Sequence, residues 1–162
     1  GIGIWLLPTA LYDHWGLSGK STGVLQWFGV EARREGFDPS IFQNPAAWWT
    51  VVLLRFLRAA VVVALVEEIF WRGFLMRFVC DWEGDYWKQP FGRAHWKSFL
   101  VVTGLFIMVH GAADRPAAFV YGSLTYLLCV WSKSLGACVA MHATANLLMG
   151  LYIMNTGKYG LW

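Results

Sequence analysis

Apolar residues fill this chain in long blocks separated by shorter polar ones, and the lengths of the blocks predict a succession of helices. Residues 1–12 are apolar but too short to span a bilayer, and Pro8 interrupts them. They read as the end of an earlier helix or as an interfacial segment. Residues 13–44 are more polar and Gly-rich, with Glu31, Arg33, Arg34, Glu35 and Asp38, and predict a loop outside the membrane with a short helix around 25–34. The dipeptides Asp38-Pro39 and Asn44-Pro45 close that loop. A proline disfavours helix at the residue before it and suits the first helical position, so the next helix is expected to start at or just after Pro45.

From residue 46 to residue 79 the pattern stays apolar and helical. At about 1.5 Å per residue that run is roughly 51 Å long, against a hydrocarbon core of about 30 Å. Arg55 and Arg58 suggest a division, with residues 46–57 interfacial or tilted and anchored by Trp48 and Trp49, and residues 59–79 spanning. A polar connection follows over 81–97. Residues 98–113 form a short span with His110 near its end, Asp114-Arg115-Pro116 turns the chain, and residues 117–131 return. Ser132-Lys133-Ser134 turns it again into a last long helix over 135–154, and the tail carries Tyr159 and Trp162, suited to an interface.

Composition turns these helices into a membrane protein. With 162 residues the chain is one domain, and 57% hydrophobic residues, 11 tryptophans and only 14% charged residues fit an all-α polytopic transmembrane helix bundle. The net charge of +3 is small, and Arg77, Lys88, Arg93 and Lys97 cluster at the connection over 81–97. These are topology signals that place the connection on the cytoplasmic side, and they do not describe a nucleic-acid surface. Cys80, Cys129 and Cys138 are odd in number and lack CxxC spacing, so a disulfide framework or cysteine zinc site is not expected; Cys129 and Cys138 read as small core residues. The chain begins at Gly1 without a signal-peptide pattern, and earlier transmembrane segments are expected to precede it.

Against that apolar background, Glu67, Glu68 and Arg72 stand out. Each ionisable side chain in hydrocarbon costs roughly 2.5–3.5 kcal/mol on insertion scales. Glu68 and Arg72 are four apart and can pair on one helix face. Glu67 is turned about 100° away and has no opposite charge at helical spacing. It must be neutral, hydrated, or held by another helix, and His110, His142 and Asn146 are the available groups. Counted along antiparallel helices, Glu67 lies about 18 Å from the end at Val79 and His110 about 20 Å beyond Lys97. His142 and Asn146 lie roughly 10 and 16 Å in from Leu135 and share a face. The polar groups are therefore expected to converge in one layer.

Such a set suits hydrolysis. A buried Glu beside a His can act as general base on water, and His142 with Asn146 can donate hydrogen bonds to an oxyanion. The bland alternative is a non-enzymatic scaffold or immunity protein whose polar cluster only holds helices together. HExxH is absent, and Ser123 offers a serine-type alternative that leaves Glu67 unexplained.

EEIFWR (67–72), FIMVH (106–110) and HATAN (142–146), in order on successive apolar segments, resemble the CPBP family of CAAX-protease and bacteriocin-processing intramembrane proteases, relatives of the Ras-converting prenyl endopeptidases. The resemblance covers about residues 46–155 within a single domain over 1–162. It departs at Trp71, where members often carry Phe. The resemblance implies an endopeptidase acting on a membrane-associated protein or peptide, including lipidated CAAX-type substrates. Glu67 and His110 would activate water, His142 and Asn146 would stabilise the oxyanion, and Glu68 and Arg72 would support the site. The family has been described both as zinc metalloprotease and as metal-independent glutamate protease. Glu67, His110 and His142 are accordingly the metal candidates, with zinc the ion and Asn146 a poorer ligand. The resemblance also implies lipid contact in a bacterial cytoplasmic membrane and, through the Trp- and Gly-rich character, an exosortase-type sorting partner.

Overall fold

The computed structural model describes residues 2–16 and 36–162, and every regular element among them is helical. The main helices are α1 (Ile2–His14), α2 (Pro45–Phe78), α3 (Trp96–Val109), α4 (Arg115–Ser132) and α5 (Leu135–Thr156), with single 3-10 turns just before α2, between α2 and α3 and between α3 and α4. The short helix expected around 25–34 lies outside the described residues.

The start of α2 is set locally. Asn44 has extended backbone, and its Oδ1 accepts the N–H groups of Ala46 and Ala47 at 2.9 and 3.4 Å, while Pro45 at the first helical position has no N–H to leave unpaired. Arg55 and Arg58 lie on one continuous helix. The helix runs on for 34 residues, and at Leu57 it widens into a π-helical stretch, Leu57–Val63, followed by a short α stretch, Ala64–Glu68, and a second π stretch, Ile69–Leu75. Wider turns absorb a mismatch of faces without interrupting the backbone ladder, and such insertions tend to occur where a helix carries a site.

Two helices, Pro45–Phe78 and Leu135–Thr156, are long and apolar enough to cross a membrane; Trp96–Val109 is apolar but shorter. In α2 only 11% of the most apolar 18-residue window is buried inside the protein, which is not how a soluble core helix behaves. Its exposed face carries Leu53, Leu57, Val61, Leu65 and Ile69, a surface for lipid tails. Trp82, Trp87, Trp96 and Trp131 are all exposed at the end of the bundle where α2 and α4 finish and α3 begins, as expected of residues at a membrane interface. The protein is an all-α integral membrane protein.

The core joins α2, α3, α4 and α5 through Trp71, Met76, Val102, Phe106, Tyr121, Cys129 and Cys138. Cys129 and Cys138 are fully buried free thiols, and Trp71, the departure from the family pattern, lies in this core with its ring edge-on to Phe106 at 5.7 Å. Two glycines let helices approach. A Cβ on Gly122 would sit 3.0 Å from the Phe106 ring, between α4 and α3, and one on Gly150 would sit 2.6 Å from the Phe56 ring, between α5 and α2. The first helix, α1, keeps Pro8 inside it and packs on α4 and α5. The tail packs back on α2. Trp162 is half-buried with its ring edge-on to Phe56 at 5.5 Å and under the Arg55 guanidinium.

Candidate active site

Glu67 and Glu68 occupy the short α stretch between the two π segments of α2. Glu68 and Arg72 are completely buried, and Arg72 Nη1 donates to Glu68 Oε1 at 3.1 Å. Arg72 Nη2 also reaches Thr125 Oγ1 and, at 3.5 Å, the Gly122 carbonyl, and its guanidinium lies over the Phe106 ring at 5.4 Å. The ion pair is thus fastened to α4 as well as lying along α2. The same Glu68 oxygen has a partner that helical spacing does not reveal, His142 of α5, whose Nδ1 is 2.8 Å away. A carboxylate at Nδ1 orients the ring and leaves Nε2 as the nitrogen available to a substrate.

In front of this buried assembly lies a cavity of about 290 Å³. Its polar lining comprises Glu67 from α2, His110 from the end of α3, Asp114 from the next turn, and His142 and Asn146 from α5. Glu68 and Arg72 lie behind the wall and do not line it. Glu67 is half-buried, and its carboxylate has no hydrogen bond or ion pair among the described residues, so it is available to water in the cavity.

His110 is not inside a helix, as a span over 98–113 would have made it. The last helical residue of α3 is Val109, and His110 is extended at φ −91 and ψ 149. The short step out of the helix brings its Nδ1 back to the Phe106 carbonyl at 2.6 Å. A neutral imidazole there carries its proton on Nδ1 and keeps the Nε2 lone pair for an acceptor role. Asn146 is also partly committed. Its Nδ2 donates at 2.8 Å to the carbonyl of Ala59, inside the first π stretch of α2. The side-chain amide has a second N–H to offer.

Among the described residues no group of three or more His, Cys, Asp or Glu side chains is placed to hold a metal ion. Glu67, His110 and His142, the zinc candidates, share a cavity without forming a ligand set, so the residues in this arrangement do not fit that group. Ser123 plays no part in the cavity; its hydroxyl donates to the Phe119 carbonyl at 2.7 Å.

Several lining residues had no signal in the chain's periodicity. Trp5 comes from α1, and its indole Nε1 donates to Asp114 Oδ1 at 3.1 Å. Tyr121 lies edge-on to His142 at 5.8 Å. Leu161 and Trp162 of the tail close another side. Asp114 read only as a turn residue, although it follows His110 by four positions.

A model of the family described as Type II CAAX prenyl endopeptidase Rce1-like matches residues 47–148, more than half the chain. The chain belongs to this family. No curated protein and no solved structure matches it. The Rce1-like match begins in the first turn of α2 and ends in α5, so Glu67, Glu68, Arg72, His110, His142 and Asn146 all fall inside it, while α1 and the tail fall outside. Membership makes the chain a membrane protease, a hydrolase.

Proposed function

We propose that this chain is an intramembrane endopeptidase that cleaves a peptide bond of a membrane-associated protein with water activated by Glu67 and His110. The observation that carries the reading is the meeting of Glu67 from α2, His110 from just beyond α3, and His142 and Asn146 from α5 around one cavity. Glu67 takes a proton from water, and the hydroxide adds to the scissile carbonyl carbon. His110, with Nε2 as acceptor, holds the water in line. The oxygen that gains charge receives the second N–H of Asn146 and, when His142 is protonated, its Nε2–H. The carbon–nitrogen bond then breaks as the proton on Glu67 passes to the departing amine. Glu68 and Arg72 touch no reacting atom in this scheme; they hold His142 at its angle.

The family description names a prenylated CAAX-type substrate, and that is the class we propose testing first. A labelled prenyl peptide, in detergent and in proteoliposomes, should be cut by the wild type and left whole by Glu67→Gln. General-base removal costs on the order of 10²–10⁴ in rate. If Glu67→Gln cleaves as well as the wild type, the mechanism is wrong. If the wild type cuts no peptide, and function follows only the folded amount of each variant, the polar cluster is a packing device and the scaffold reading replaces it.

A further inference from the structure

We propose that Trp5, on α1, is a positioning residue for His110 and makes the N-terminal helix part of the catalytic apparatus. The inference rests on the protease reading given above, but its structural half does not. The imidazole of His110 sits at the point where α3 has ended, on extended backbone followed by Gly111. The helix no longer restrains it there, and its ring is held by contacts alone. One is the Nδ1–H to the Phe106 carbonyl at 2.6 Å. Another is the Phe106 ring, tilted against it with centroids 4.4 Å apart. Both come from the helix that His110 has just left. An aromatic contact from outside that helix is Trp5, edge-on at 5.4 Å and 63°.

Trp5 is itself fixed. Its ring is edge-on to Tyr121 of α4 at 5.7 Å, and its Nε1–H is donated to Asp114 Oδ1 at 3.1 Å. The indole therefore grips both ends of the short passage from His110 to Asp114, by an edge-on ring contact at one end and a hydrogen bond at the other. It also lines the catalytic cavity. Edge-to-face aromatic contacts favour one ring angle over others, which is what a base or acceptor needs when its lone pair must point at a water. Trp5 precedes the residues matched by the family. This chain thus supports a family motif with a residue that the matched region does not contain.

The test combines imidazole NMR with kinetics on the full chain in detergent micelles. With ¹⁵N-histidine labelling, and His110 assigned against His110→Gln, the wild type should show one fixed tautomer with Nδ1 protonated and proton shifts displaced by the indole ring. Trp5→Ala should lose that displacement and show a mixture of tautomers. Trp5→Phe, which keeps an aromatic edge and loses the N–H, should fall between. In cleavage assays Trp5→Ala should lower kcat by roughly tenfold to a hundredfold, the order expected for a displaced catalytic group, with KM little changed. Trp5→Phe should recover part of the rate. An unchanged His110 spectrum in folded Trp5→Ala overturns the proposal. So does a raised KM with normal kcat, which would make Trp5 a substrate contact, or a rate that follows only the folded fraction. A wild type without protease activity refutes the functional reading alone, because the spectra still report whether Trp5 fixes the imidazole.

Discussion

His142 Nδ1 and Glu68 Oε1 lie 2.8 Å apart, fully within the protein and 74 positions apart in the chain, on an oxygen that Arg72 also binds at 3.1 Å. One carboxylate therefore balances a buried guanidinium and orients an imidazole. These are separable jobs, and substitutions can separate them.

Glu68→Gln removes the charge and leaves Arg72 buried without compensation. Breaking one side of a buried pair typically costs about 3–5 kcal/mol. Equilibrium unfolding in detergent should show a loss of that order. Adding Arg72→Met removes the stranded charge, so the double variant should be more stable than the two single losses predict together. Its cleavage rate should stay low, because His142 has still lost its orienting carboxylate. Recovery of activity along with stability would mean that Glu68 acts on packing alone.

The zinc question yields a prediction of its own. Glu67, His110 and His142 face one cavity but are not gathered as ligands. His142 holds Nδ1 to Glu68 and His110 holds Nδ1 to a backbone carbonyl, which leaves each an Nε2 that could ligate, so it is the spacing of the groups that speaks against a metal. Purified protein is expected to carry well under one equivalent of zinc by elemental analysis and to keep its cleavage rate after prolonged chelation. Loss of activity on chelation, restored by adding zinc, would show that the site closes around a metal and that Glu67 acts through it.

Much of the helix plan could be read from the chain because its causes are local. Asn44-Pro45 starts α2 by capping, and the apolar blocks set the spans. The Glu68–Arg72 pair follows from helical spacing. What escaped was non-local or depended on small departures from regular helix. The widened turns of α2 from Leu57 onward have no signal in an apolar pattern read at one pitch. The apolar residues after His110 suggest more helix, yet the chain leaves α3 at Val109. Trp5 and the tail residues Leu161 and Trp162 are ordinary apolar positions until the fold brings them to the cavity. No periodicity connects residue 5 with residue 110.

Gly150 tests the contact that holds α5 against α2. A Cβ there would come within 2.6 Å of Phe56, a ring edge with little room to yield, since Trp162 packs on it at 5.5 Å. Gly150→Ala should destabilise the protein by about 1–3 kcal/mol, the usual range for overpacking. It should also lower activity, because Gly150 follows Asn146 by one helical turn. Phe56→Ala in the same background should restore part of the stability. Thermal unfolding of the single and double variants decides it; an unshifted midpoint in Gly150→Ala would show that the helices separate there without strain.

Asn146 joins the first π stretch of α2 to the proposed oxyanion site, since one amide N–H goes to the Ala59 carbonyl and the other remains for the substrate. Asn146→Ala should lower kcat on the order of 10²–10³, the range for losing one oxyanion donor, and leave KM nearly unchanged. It also removes the extra hydrogen bond to the Ala59 carbonyl, which keeps its place in the helical ladder, at a net cost of about 0.5–1.5 kcal/mol. Asn146→Asp is more informative. The ionised carboxylate has no N–H to donate and faces a carbonyl oxygen, so at neutral pH both stability and rate should fall below those of the alanine variant. As the pH drops and the new carboxyl group protonates, it regains one donor, and stability should rise again toward that of Asn146→Ala. Unfolding midpoints of both variants between pH 5 and pH 8 check the sign. Equal activity of Asn146→Asp and wild type would remove Asn146 from the proposed oxyanion site.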